Sequence, residues 1–169
     1  EIPVLAYLRS DAMGLSEIMA VADHENIVGV KYATPNLMRL ADCVRASGPN
    51  TARWICGLAE GWAGAFYAVG ARGFTSGLVN VDPARSLAIY DALEGNNAAE
   101  ARRLVAQIAA FEAMRTRFGN GANVTVVKAA LSLMGMPVGD VRLPGLPRLD
   151  DNDRQALANI LRSWGLHPA

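Results

Sequence analysis

Apolar positions along this chain follow two rhythms. Four short runs near the N-terminus are apolar almost throughout: "IPVLAYL" (Ile2–Leu8), "NIVGVK" (Asn26–Lys31), "ARWICG" (Ala52–Gly57) and "GFTSGL" (Gly73–Leu78). Their starts fall 24, 26 and 21 residues apart. That interval holds a strand, a crossover helix and two loops. Between the runs, apolar residues recur at helical spacing: Ile18, Met19 and Ala22, then Leu37, Leu40, Ala41 and Val44, then Trp62, Phe66 and Val69. Strands that are apolar throughout suit a parallel sheet covered on both faces.

After the fourth run the helical rhythm takes over. "VDPARSLAIYDALEG" reads as a helix with Pro83 near its start and Gly95 past its end. "NAAEARRLVAQIAAFEAMRTRF" reads as one long amphipathic helix. "NVTVVKAALSLMG" reads as another, because alanines and leucines follow its β-branched start and Gly135 ends it. "MPVGDVRLPGLPRL" holds three prolines and is irregular. "DDNDRQALANILRSWG" is a last helix with Asp150 or Asp151 as its N-cap. The expectation is an α/β half barrel of four βα units over residues 1–95 and a helical extension over 96–169.

Charge and composition narrow the function. Sixteen basic and sixteen acidic residues leave a formal net charge of +0, which argues against a nucleic-acid partner. No apolar run approaches the roughly 20 residues of a membrane span. The opening residues "EIPVLAYLRS" lack the charged start of a signal peptide. Cys43 and Cys56 read as reduced thiols of a cytoplasmic protein. The chain enters a strand at once and without methionine, so it is expected to be a piece of something longer.

Ligands of parallel α/β folds sit at the C-terminal ends of the strands. The polar residues there are Tyr7 and Arg9, then Lys31, then Cys56 and Gly57, then Thr75, Ser76 and Asn80. No His or carboxylate cluster suggests a metal, and no phosphate loop or serine elbow is present. A lysine ending an apolar strand either snorkels its ammonium to water or serves as a desolvated nucleophile. A free amine attacks a ketone to form a Schiff base, which needs a proton shuttle nearby, and a tyrosine on the next strand is placed to supply one. Tyr7 has a packing alternative and Arg9 a solvated one. Thr75 and Ser76 read equally as the finish of a strand. Cys56 reads as a small buried hydrophobe. His24 lies between two acids at a helix end, and His167 in the tail.

Together "IPVLAY", "NIVGVKYAT", "WICG", "GARGFTSGLVNVDP" and "VKAALSLMG…VRLPGLP", in this order, resemble the dihydrodipicolinate synthase / N-acetylneuraminate lyase family. The resemblance runs through essentially the whole chain. It implies a (β/α)8 barrel with extra C-terminal helices and a class I Schiff-base lyase, with no cofactor beyond the lysine. By the same resemblance Lys31 is the Schiff-base lysine and Tyr7 the proton-relay tyrosine. Gly57 ends strand seven, Thr75 and Ser76 line the pocket from strand eight, and Asn80 and Pro83 match the "N…P" that follows.

Two departures shape the expected function. The family's usual Tyr-Asn is here Tyr7-Leu8-Arg9-Ser10-Asp11, similar to the sugar-acid dehydratases of the family. This favours a 2-oxo-3-deoxy sugar acid as substrate, with Arg9 among the substrate-binding residues. The alternatives are a pyruvate-dependent aldolase or dihydrodipicolinate synthase, and a non-catalytic half-barrel fragment or binding module. The match also begins at strand five. The first four strands, with the loop that binds the 2-oxo acid carboxylate, are therefore expected in a missing N-terminal half. A half barrel leaves open edges and an uncovered interior, so the chain made alone is expected to be poorly soluble, oligomeric or inactive. The full-length protein is expected to be a homo-oligomer.

Overall fold

The computed structural model describes residues 2–145 and 148–166. His167, and Leu146 and Pro147 of the proline-rich stretch, lie outside the described residues. The elements are β1 (Val4–Leu8), α1 (Leu15–Ala22), β2 (Ile27–Tyr32), α2 (Leu37–Ala46), β3 (Arg53–Cys56) and α3 (Glu60–Ala68). A 3-10 turn (Leu78–Asn80) follows, then α4 (Pro83–Glu94), α5 (Ala98–Arg115), the short α6 (Arg117–Asn120), α7 (Asn123–Leu133) and α8 (Asp151–Ser163). The chain divides into two compact units. One comprises Glu1–Ser76 with Ala88–Arg102, and the other Gly77–Leu87 with Arg103–Ala169.

The first unit is α/β. Its sheet is parallel, in the order β1-β2-β3. Neighbours in sequence are neighbours in space, so each right-handed crossover steps the same way and lays its helix on the same side. Val30, Tyr32, Trp54 and Cys56 point to that side and pack with Ile18, Leu40, Cys43 and Phe66. The opposite face carries Leu5, Tyr7, Gly29, Lys31 and Ile55, and there Tyr7 is 53% and Leu5 49% exposed. The sheet is thus covered on one face, not two. Helices on both faces of an open sheet need a reversal of strand order, and three sequential strands contain none.

The fourth apolar run is not a strand. Phe74 makes a single parallel bridge to Cys56, flanked by Cys56 N–H to Gly73 O (3.0 Å) and Thr75 N–H to Cys56 O (2.9 Å). Gly73 enters the bridge at φ +98° and Gly77 leaves it in a helical turn, so the extended stretch is too short for a ladder.

The second unit is helical. The long helix expected through Phe118 ends at Arg115. Thr116 Oγ1 donates back to Glu112 O and Ala113 O, and Phe118, Gly119 and Asn120 take left-handed φ of 54°, 61° and 72°. Arg115 is buried, paired with Glu112 (2.5 Å) and donating twice to Asn123 Oδ1 (2.9 and 2.8 Å). Its guanidinium fills the space beside Gly77 that a Cβ would occupy. Asp150 caps α8, accepting from Asp153 N–H at 2.8 Å, and Gly165 follows at φ +77°.

Candidate active site

Parallel register decides which side chains meet. Tyr7 on β1 stands opposite Lys31 on β2, and both lie on the uncovered face. Lys31 is half-buried and its Nζ sits 4.3 Å from the centre of the Tyr7 ring. Arg9, exposed just past β1, brings its guanidinium carbon within 5.6 Å of the same ring. The π-face of Tyr7 therefore holds two cations, a contact of about 0.5–1 kcal/mol at an exposed site. The arrangement places a primary amine beside a phenol, on a sheet face that water reaches.

Two loops frame that corner. Thr34, buried after β2, donates from its hydroxyl to Asp11 in the loop after β1 (3.0 Å). Arg39 on α2 donates to Met13 O, farther along that first loop. Asn36 caps α2 through Arg39 N–H (3.0 Å) and accepts at its carbonyl from the hydroxyl of Tyr32 (3.2 Å). The segment carrying Arg9 is thus tied to β2 and α2 by polar contacts.

Gly57, Thr75 and Ser76 form a second group at the end of β3. Gly57 N–H donates to Tyr32 O at 2.7 Å, and a Cβ on Gly57 would lie 2.5 Å from Ala33 Cβ. Thr75 donates its backbone N–H to Cys56 O, as above. Ser76 turns its hydroxyl to Glu60, the first residue of α3, which is fully buried. Burial pushes the Cys56 thiol up to about 12, and the charge of Glu60 adds to the shift. That thiol stays protonated at neutral pH. On α3, Tyr67 accepts the Gly73 N–H at 2.7 Å, and burial raises its own pKa to about 12. Asn80 donates from its amide to Gly77 O (3.1 Å), and Pro83 is the first residue of α4. His24 is exposed and accepts from Asn26 N–H (3.3 Å).

Sequence reasoning missed Glu60, Asp11 and Thr34. Glu60 gave no signal of its own: it is an acid three residues past Gly57 at a helix start, and only its burial with Ala63 and Phe66 sets it apart. Among the described residues, no three His, Cys, Asp or Glu group as metal ligands would. No helix there is long and apolar enough to cross a membrane.

Comparison with known proteins adds to this geometry. The sequence pattern of the dihydrodipicolinate synthetase family matches residues 4–163. A 4-hydroxy-tetrahydrodipicolinate synthase of Methanoculleus marisnigri is 32% identical over 148 residues, which are 88% of this chain and 49% of that protein. A "probable 5-dehydro-4-deoxyglucarate dehydratase" of Saccharopolyspora erythraea is 30% identical over 165 residues, 95% of this chain and 52% of that protein. The crystal structure of dihydrodipicolinate synthase from Oceanobacillus iheyensis superposes with a TM-score of 0.90 at 36% identity, over 96% of this chain and 54% of that one. The chain spans about half the length of the curated relatives it matches.

Proposed function

This chain belongs to the dihydrodipicolinate synthetase family, and from that membership we propose that it is the catalytic-lysine half of a Schiff-base lyase acting on a 2-oxo acid. In this reading β1, β2, β3 and the 73–76 segment are strands five to eight of a (β/α)8 barrel. The observation that carries it is Lys31 on the uncovered sheet face, its amine against the ring of Tyr7 one strand away.

The chemistry follows from those two side chains. The unprotonated Lys31 amine adds to the 2-oxo carbon, and the carbonyl oxygen leaves as water. The resulting iminium draws electrons from the adjacent carbon, which releases a proton. Tyr7 is placed to carry that proton, and a tyrosine hydroxyl in reach is a competent relay. In a dehydratase the electrons then expel a hydroxyl group two carbons from the imine as water. In an aldolase they form a new carbon–carbon bond. Lys31→Ala in the full-length protein abolishes trapping of pyruvate by borohydride. An adduct that persists in that variant removes Lys31 from the role.

The substrate we favour is a 2-oxo-3-deoxy sugar acid, with water as the leaving group. The stretch Tyr7-Leu8-Arg9-Ser10-Asp11 supports this, as does the likeness to the Saccharopolyspora erythraea protein. The second reading is condensation of pyruvate with an aldehyde, favoured by the name of the Methanoculleus marisnigri relative. Turnover of the hydroxylated acid alone supports the first, and turnover only with pyruvate plus aldehyde supports the second. The full-length protein is also read as a homo-oligomer acting in the cytoplasm. Gel filtration and cell fractionation test those two points.

A further inference from the structure

The backbone ladder between β1 and β2 ends at Leu8, whose carbonyl accepts Ala33 N–H at 2.8 Å. Past that rung the chain leaves the sheet, and Arg9 is the first residue beyond it. Two residues farther on, the exposed Asp11 accepts the hydroxyl of Thr34 at its carboxylate, at 3.0 Å. Thr34 is 3% exposed and follows Ala33 directly, so that hydroxyl comes from the other side of the same last rung. Its oxygen also accepts Asn36 N–H at 3.4 Å, which ties the threonine to the start of α2. Arg9 is therefore bracketed, by a rung before it and a charge-assisted hydrogen bond after it. Between those fixed points its guanidinium carbon rests 5.6 Å from the centre of the Tyr7 ring, which holds Lys31 Nζ at 4.3 Å.

We propose that Thr34 and Asp11 are positioning residues that hold Arg9 beside the Tyr7–Lys31 pair, so that the guanidinium meets the substrate already in place. The proposal rests on the Schiff-base reading of Lys31 and on Arg9 as a substrate contact, and adds what keeps Arg9 there. Neither Thr34 nor Asp11 needs to touch substrate. An arginine without the bracket has several free torsions, and ordering it on binding costs affinity. Tyr7 and Lys31 need no such pin, because the ladder register sets them opposite each other. A second tie, from Arg39 to Met13 O, lies beyond Asp11 and keeps the end of the loop in place. Loss of the pin thus weakens binding through Arg9 and leaves imine formation itself intact.

The experiment measures borohydride trapping of a 2-oxo-3-deoxyhexonate on the full-length protein as a function of its concentration. Thr34→Val removes the hydroxyl and keeps the β-branched shape. Asp11→Ala removes the acceptor at an exposed position where the fold loses little, and so carries the test if the buried variant does not fold. Asp11→Asn keeps an accepting oxygen. The expected result is a half-saturating concentration about fivefold higher in Thr34→Val and in Asp11→Ala, the cost of ordering one long side chain, and within about twofold of the unmodified protein in Asp11→Asn. In an Arg9→Ala background, itself weaker, the first two substitutions should add less than about twofold, because they have nothing left to position. The same loss persisting without Arg9 overturns the proposal, since a general loosening of the loop would do that. So does an Arg9→Ala variant that binds like the unmodified protein, or full affinity in both Thr34→Val and Asp11→Ala. Trapping absent from the unmodified protein is a separate failure. It removes the Schiff-base reading, and the proposal with it.

Discussion

At Gly57 a methyl group has nowhere to go. A Cβ there would meet Ala33 Cβ at 2.5 Å and the backbone of Tyr32 and Ala33 at 2.9 Å. Backbone cannot swing aside as a long side chain can. Gly57→Ala is therefore expected to cost about 1–3 kcal/mol in urea denaturation, as overpacking does, and to move the strand end that carries the site. Cys56 and Tyr67 make a second prediction, set by pH. Cys56 ionises ordinarily near 9.0 and Tyr67 near 10.0, and burial raises both to about 12 in the fold. The folded state thus holds these protons more tightly than the unfolded chain does. Their contribution to stability is complete below pH 9 and lost as pH rises toward 12, at up to about 1.4 kcal/mol per pH unit for each proton. Denaturation midpoints at pH 8, 10 and 11 check this, and a flat profile sinks it. Lys31 and Tyr7 were legible in the sequence because a polar residue ending an apolar strand stands out. Glu60 was not. An acid at a helix start usually faces water, and only the packing of Ala63 and Phe66 beside it shows that this one does not.

Helices and three of the four strands were readable because their rhythms are long enough to be unambiguous. The fourth run failed for a reason that periodicity cannot see. "GFTSGL" is bounded by glycines, and its conformation depends on whether a neighbour continues the ladder on each side. Here Cys56 supplies one rung. The long helix was overextended by three residues for a related reason. Thr116, Arg117 and Phe118 have acceptable helical character, but the threonine hydroxyl captures carbonyls that a further turn would use. At the other end of the helical region the cap was plain in the residues. Asp150 accepts from the N–H three residues on, as Asp-x-x-Asp at a helix start allows. Asp150→Ala should destabilise α8 by about 1 kcal/mol, read as a lower denaturation midpoint of the helical signal, whereas Asp151→Ala should do less. Equal effects would move the cap to Asp151.

For the chain as a whole, the decisive feature is a sheet finished on one side only. Among the described residues β1 pairs with β2 alone, and Leu5 and Tyr7 lie open on the bare face. An unpaired edge beside exposed apolar side chains invites another chain. Produced by itself, the chain should sediment as species larger than a monomer, and Leu5→Lys should shift it toward smaller ones. A concentration-independent monomer would contradict this. The bare face also bears on time. An imine is undone by the same water that its formation releases. An iminium on Lys31 would stand beside a ring that solvent reaches. In this chain the adduct would be short-lived, because water reaches the iminium carbon to add to it. Reductant present when the 2-oxo acid is added would capture it. Reductant added after the free acid is washed away would find unmodified lysine.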